Sequence, residues 1–208
     1  MIAIIDYGAG NIRSVEKALI HIGCEVTVTS DPQVLLTADA AVLPGVGSFG
    51  DAMQELRARG LEKPIRAFIA SGKPFLGICL GLQILFESSE ESPGVKGLGL
   101  LKGKITRIPA GDGLKIPHMG WNSLKIDKCG GLFADVNNEP YVYFVHSYYL
   151  QAEEDIVSAT AQYGVTIHAA VQKENVLACQ FHPEKSGAAG LQLLKNFAAM
   201  SGVKGGTL

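Results

Sequence analysis

Cys79 stands in the run Gly77-Ile78-Cys79-Leu80-Gly81, where two glycines flank a potential nucleophile at the spacing of a strand-to-helix elbow. Glycines there permit a sharp, strained turn that lifts the middle side chain above a sheet. A thiol at the first turn of a helix meets unpaired N–H groups and the positive end of the helix dipole. Both favour the thiolate, the form of cysteine that attacks carbonyl carbon. The N–H of Leu80 would then point toward the oxyanion that forms. Free cysteine is also among the most buried residue types, so the pattern alone leaves an inert, packed Cys79 open.

His182-Pro183-Glu184 lies about a hundred positions later. A histidine at a sheet edge can take the thiol proton, and a carboxylate two residues on can accept from the imidazole and fix its tautomer. The same tripeptide by itself also fits a turn before a helix, with the glutamate in solvent. A third feature, the glycine loop Pro44-Gly45-Val46-Gly47, invites a phosphate-binding reading, but no Gly-Lys-Ser/Thr follows it. Backbone oxyanion donors at Val46 and Gly47 suit it better. Cys24, Cys129 and Cys179 lack glycines that would expose them. With no C-x-x-C pair and no zinc-ligand spacing, all four cysteines are expected to be free thiols, and no metal site is expected.

These groups need elements to hold them. Apolar runs predict strands over residues 2–6, 25–29, 40–43 and 75–78, alternating with helical patterns over 51–59, 64–71 and 80–86. Asn11 can cap a first helix whose apolar residues Ile12, Val15, Leu19 and Ile22 share a face, with Gly23 as its stop, and Asp31-Pro32 opens a short second one. Strand–helix alternation argues for a parallel, doubly wound α/β sheet, whose sites lie at the carboxyl ends of the strands. After Ser92 the texture becomes glycine-punctuated, β-branched and aromatic. Strands are expected over 104–108, 121–126, 141–147, 156–163, 166–172 and 176–180, as mixed or antiparallel sheet, followed by a last helix over 188–200.

The totals narrow the class. A chain of 208 residues with 47% hydrophobic and 18% charged residues can bury a full core in one compact body. A net charge of -2 without a long basic run argues against nucleic acid. No charged leader and no apolar run of membrane-spanning length appear, so a cytoplasmic location is expected.

Taken together and in this order, Pro44-Gly45-Val46-Gly47, Gly77-Ile78-Cys79-Leu80-Gly81 and His182-Pro183-Glu184 resemble the class I glutamine amidotransferases. Three further stretches are similar to the branch of that family that serves imidazole glycerol phosphate synthase as its glutaminase subunit. They are Pro117-His118-Met119-Gly120-Trp121-Asn122, Tyr143-Phe144-Val145-His146-Ser147-Tyr148 and Gln180-Phe181-His182-Pro183-Glu184-Lys185-Ser186-Gly187, and the likeness covers nearly the whole chain.

The resemblance implies a flavodoxin-like class I glutaminase fold in one domain over 1–208: a central, mostly parallel sheet flanked by helices, with an additional mixed or antiparallel sheet. It implies Cys79 as nucleophile, His182 as general base and then acid, Glu184 as orienter, and a γ-glutamyl thioester intermediate. By the same likeness Gln83, Glu91, Ser147 and Tyr148 would contact glutamine, and the amides of Leu80 and the Val46-Gly47 segment would form the oxyanion hole. Asn11, Trp121 and Tyr143 would lie near a partner surface. The implied partner is a (β/α)8-barrel cyclase subunit, joined as a heterodimer, that uses the ammonia in histidine biosynthesis through a lyase-type overall reaction without a bound cofactor. Two alternatives stay in view. A glutaminase of pyridoxal phosphate synthase shares the Cys and His-x-Glu logic, though residues 117–122 argue against it, and a non-catalytic binding module could use the same fold.

Overall fold

The computed structural model describes residues 1–8, 10–111 and 113–202. Ala9, in the stretch before Asn11, and residues 203–208 lie outside them.

The first half alternates as expected: β1 (Ile2–Ile5), α1 (Ile12–His21), β2 (Val26–Thr29), α2 (Pro32–Thr37), β3 (Ala40–Leu43), α3 (Phe49–Ala58), α4 (Glu62–Ala70), β4 (Phe75–Ile78) and α5 (Leu80–Gln83). Local chemistry sets several starts. The Asp31 side chain accepts from the Gln33 N–H with Pro32 at the first helical position, and Ser48 accepts from the Asp51 N–H at the start of α3. Asn11 departs from its expected role. It occupies the N-cap of α1 in a left-handed conformation (φ 71°), but its side chain makes no cap bond.

The second half contains β5 (Ser88–Ser89), β6 (Gly103–Arg107), β7 (His118–Ser123), β8 (Lys125–Ile126), β9 (Tyr141–His146), β10 (Tyr148–Ala152), β11 (Val157–Tyr163), β12 (Val165–Lys173), β13 (Val176–Cys179) and α6 (Gly187–Met200). Among the described residues the main sheet has eight strands in the order β2-β1-β3-β4-β13-β12-β11-β8. It is parallel from β2 to β13 and antiparallel beyond. Two small sheets, β10-β6-β5 and β7-β9, complete the mixed portion.

Three boundaries differ from the sequence expectation. The helix expected over 80–86 is one turn, α5, because the carbonyls of Ile84, Leu85 and Phe86 accept from the N–H groups of Leu98, Leu100 and Gly99 instead of continuing a helix. The strand expected over 121–126 divides at the buried Leu124: β7 pairs with β9, while β8 joins the main sheet. Tyr148–Ala152, for which no strand was expected, pairs antiparallel with β6, since the chain changes sheets at Ser147.

The parallel strands are buried on both faces. In β1, Ile2 and Ile4 enter the core beneath α1 and α6, while Ala3 and Ile5 enter the one beneath α3 and α4. That two-sided burial explains their continuous apolar runs. Phe197 of α6 is fully buried and contributes about 2–3 kcal/mol by area removed from water. Between β4 and β13 the register pairs Cys179 with Ile78, so the residues following both strands emerge side by side at the carboxyl edge.

Candidate active site

Cys79 follows β4 with φ 55° and ψ -107°, a conformation that L-residues rarely hold, so the strained elbow expected from the sequence is present. The flanking glycines serve close approach rather than unusual torsion. A Cβ on Gly81 would strike the carbonyl oxygen of Leu43, and one on Gly77 would lie 2.8 Å from that of Gly81. The elbow is tied to the neighbouring strand by the Cys79 N–H, which donates to the Cys179 carbonyl at 2.7 Å.

His182 arrives from the end of β13, its N–H donating to the Tyr143 carbonyl at 2.9 Å. Its ring and the Glu184 side chain are 1% and 0% exposed, and Nδ1 lies 2.7 Å from Glu184 Oε1. With an acceptor-only carboxylate as partner, Nδ1 carries the proton and Nε2 is the reactive nitrogen. Asn11 supports the pair, since its Nδ2 donates to the same Oε1 at 2.5 Å and lies 3.3 Å from His182 Nδ1. Burial alone would depress the His182 pKa, but interaction with Cys79 and Glu184 outweighs it and raises the value to about 9. Nε2 forms no hydrogen bond of normal geometry with any described residue, so its coupling to the thiol is looser than a formed bond.

A cavity of about 330 Å³ opens over the sulfur, within the range of small-molecule sites. Val46, Gly47, Leu80, Gln83, Glu91, Ser147 and Tyr148, all singled out from the sequence, line it together with Cys79. His146, Val145 and Pro117 complete the wall. Glu91 also has a structural duty, for Oε2 accepts from the Phe49 N–H at 2.7 Å and caps α3 from a distance. The Leu80 N–H does not stand free for an oxyanion; it donates to the Gly45 carbonyl at 3.4 Å, because that carbonyl turns toward the elbow.

Trp121 lies opposite Tyr143 in the β7-β9 pair, the two rings edge-to-face at 6.3 Å. Trp121 is 56% exposed and its neighbour Met119 62%, so the tryptophan is not spent on this chain's own core. Among the described residues no cluster of three or more potential metal ligands occurs, and no helix is long and apolar enough to cross a membrane.

Gln180 enters the sequence reading only as the first residue of a family-like stretch, with no role of its own. It is fully buried and donates from Nε2 to the Cys79 sulfur at 3.7 Å. Its place two residues before His182, beside β4, was the signal available, but only the strand pairing gives that place meaning.

The chain is similar to known proteins along nearly its whole length. The family model for glutamine amidotransferase class-I matches residues 3–200. The chain is 55% identical over 197 residues to the imidazole glycerol phosphate synthase subunit HisH of Methanothermobacter thermautotrophicus, covering 95% of this chain and 97% of that one. It is 51% identical to the protein of the same name from Caldanaerobacter subterraneus subsp. tengcongensis, covering 96% and 98%. Among solved structures, a glutamine amidotransferase superposes with TM-score 0.77 at 22% identity, covering 98% of this chain and 100% of that one. PurLQS from Thermotoga maritima gives 0.75 at 22%, covering 95% and 97%. These two likenesses establish the fold, and the near-complete family match and half-identical relatives establish the kinship: the chain belongs to the class-I glutamine amidotransferases.

Proposed function

We propose that this chain is the glutaminase subunit of an imidazole glycerol phosphate synthase, with Cys79, His182 and Glu184 as its reacting triad. The observation that carries this reading is the buried His182–Glu184 pair, 2.7 Å apart, delivered beside the Cys79 elbow by the β4–β13 pairing.

The chemistry follows from those positions. The Cys79 thiolate adds to the side-chain carbonyl carbon of glutamine, placing a negative charge on the carbonyl oxygen. As the C–N bond breaks, His182 gives its Nε2 proton to the departing nitrogen, so ammonia leaves and a γ-glutamyl thioester remains. Water, losing a proton to the same nitrogen, adds to the thioester. Glutamate leaves and the thiolate is restored. Glu184 stabilises the imidazolium at each stage, and Asn11 holds the carboxylate in place. Gln83, Glu91, Ser147 and Tyr148 bind glutamine along the cavity wall.

The oxyanion donors are the Leu80 N–H and the Val46-Gly47 peptide. In the free chain the Gly45 carbonyl holds the Leu80 N–H at 3.4 Å, a long bond that a modest rotation of the loop would break. Partner docking is the event that turns this loop. Gly47, with φ 109°, can adopt backbone conformations that other residues resist, which makes such rotation inexpensive.

The relatives at 55% and 51% identity are named as synthase subunits, which supports a cyclase partner. That partner is a (β/α)8 barrel, paired as a heterodimer in the cytoplasm, receiving ammonia for histidine biosynthesis. Exposed Trp121 and Met119 and the Tyr143 edge form the docking face. The deciding measurement is glutamine hydrolysis by the purified chain with and without a cyclase subunit. A large increase is expected, and equal rates would defeat the reading. Cys79→Ala should abolish hydrolysis in the complex while ammonia-supplied synthesis continues, because free ammonia bypasses the first site.

A further inference from the structure

The triad leaves unexplained why a fully buried carboxamide, Gln180, faces the sulfur of Cys79. Its Nε2 lies 3.7 Å from Sγ, and its Oε1 accepts from Nε2 of Gln83 at 2.9 Å. That second bond fixes the amide. With its oxygen held by a donor, Gln180 must turn its N–H groups toward the sulfur. Gln83 is oriented in turn, since its Nε2 also donates to the Tyr148 carbonyl at 3.1 Å.

The series runs further with one consistent polarity. The Tyr148 carbonyl also accepts from His146 Nδ1 at 2.9 Å, which leaves His146 Nε2 as an acceptor. His118 Nδ1 donates to it at 2.9 Å, and His118 Nε2 accepts from Asn122 Nδ2 at 3.3 Å. Asn122 is itself held by the Gln162 carbonyl at 3.0 Å. Both imidazoles must be neutral for this order to hold, and burial keeps them so, lowering His146 to about 3 and His118 to about 4. His118 is further clamped between the rings of Tyr163 and Phe144, with centroids 3.9 and 4.6 Å away.

We propose that Gln180 is a further member of the reaction centre: a carboxamide of fixed orientation that donates to the Cys79 sulfur and stabilises it as the thiolate. The proposal rests on Cys79 being the nucleophile and adds a group that the triad does not contain. A carboxamide suits the position because it supplies a donor without a formal charge, whereas a buried cation beside protonated His182 would be costly. The bond is strongest while sulfur is anionic, before attack and again as the thioester collapses, and it weakens when sulfur is covalently engaged. Gln180 therefore favours the step in which the thiolate departs.

The test is the pH dependence of Cys79 alkylation by iodoacetamide in the full chain without glutamine, read on the Cys79 peptide by mass spectrometry. Several other titratable groups around the sulfur bear on that midpoint: Tyr7 just past β1, Cys179 on β13, His182 after it with Glu184 behind the imidazole, and Glu91 and His146 in the cavity wall. All are retained in the variants. Gln180→Met keeps the length and removes the donor, and the midpoint is expected to rise by about one pH unit, the worth of one hydrogen bond to an ion. Gln180→Glu should raise it further by placing a carboxylate against the sulfur. Gln83→Leu, which frees the Gln180 amide to turn, should give a smaller rise, and it decides the matter if Gln180→Met does not fold. An unchanged midpoint in whichever of these folds overturns the proposal. Cys79→Ala separates the two failures. If that variant still hydrolyses glutamine, the nucleophile was wrongly assigned; if it is inactive and the midpoint does not move, Gln180 alone was.

Discussion

The side-chain amide of Asn11 meets Oε1 of Glu184 at 2.5 Å across 173 positions of sequence, so the residue that begins α1 also anchors the carboxylate behind His182. It does this from a left-handed backbone, φ 71°, that glycine accepts and most residues resist. Asn11→Gly should therefore keep the backbone but lose the anchor, lowering kcat roughly tenfold, the worth of one hydrogen bond to a charged group. Asn11→Ala should lose the same rate and also melt lower, because it adds left-handed strain. Steady-state kinetics and thermal melts on the pair check both statements.

Within the triad the losses should be unequal. His182→Asn removes the proton-transfer group and is expected to lower kcat by roughly 10²–10⁴, whereas Glu184→Gln, which removes only the orienter, should cost less. Stability offers a second readout. The His182 pKa is raised in the fold, so its stabilising contribution is fully present below the unfolded value of 6.5 and is lost as pH rises through about 9. Urea titrations should find Glu184→Gln least stable relative to the parent just below pH 6.5, with the gap narrowing as pH rises from there through about 9.

Acid should act through His118 and His146. Their folded pKa values lie below 6.5, so the unfolded chain binds protons first and stability falls as pH drops from 6.5 toward about 4 and then 3. His146→Gln is expected to flatten that slope, even if it lowers stability at neutral pH. Denaturant midpoints taken from pH 7 to 4 on both proteins test this.

Trp121→Ala should leave the free chain's melting temperature nearly unchanged, since the side chain is 56% exposed. The same change should weaken cyclase binding by about 2 kcal/mol or more, as truncating a central aromatic anchor does. Calorimetric titration of the two subunits measures it, and undiminished affinity would remove Trp121 from the docking face.

The pieces whose physics is local are legible in the order of residues. Continuous apolar runs mark strands buried on both faces, as in β1, β3 and β4. The spacing of Gly77, Cys79 and Gly81 marks the elbow, and His182 with Glu184 two residues on marks a self-contained pair. Where backbone and amide groups find partners depends on contacts between segments far apart in the chain. Leu80–Gln83 stops as a single turn because residues 98–100 take the next carbonyls, Asn11 gives up its helix cap for Glu184, and the Leu80 N–H is occupied by Gly45. Gln180 shows the reason most plainly. A buried polar group must be satisfied by whatever the fold brings beside it, and its partners, Cys79 and Gln83, lie 101 and 97 positions away, where no local pattern can register them.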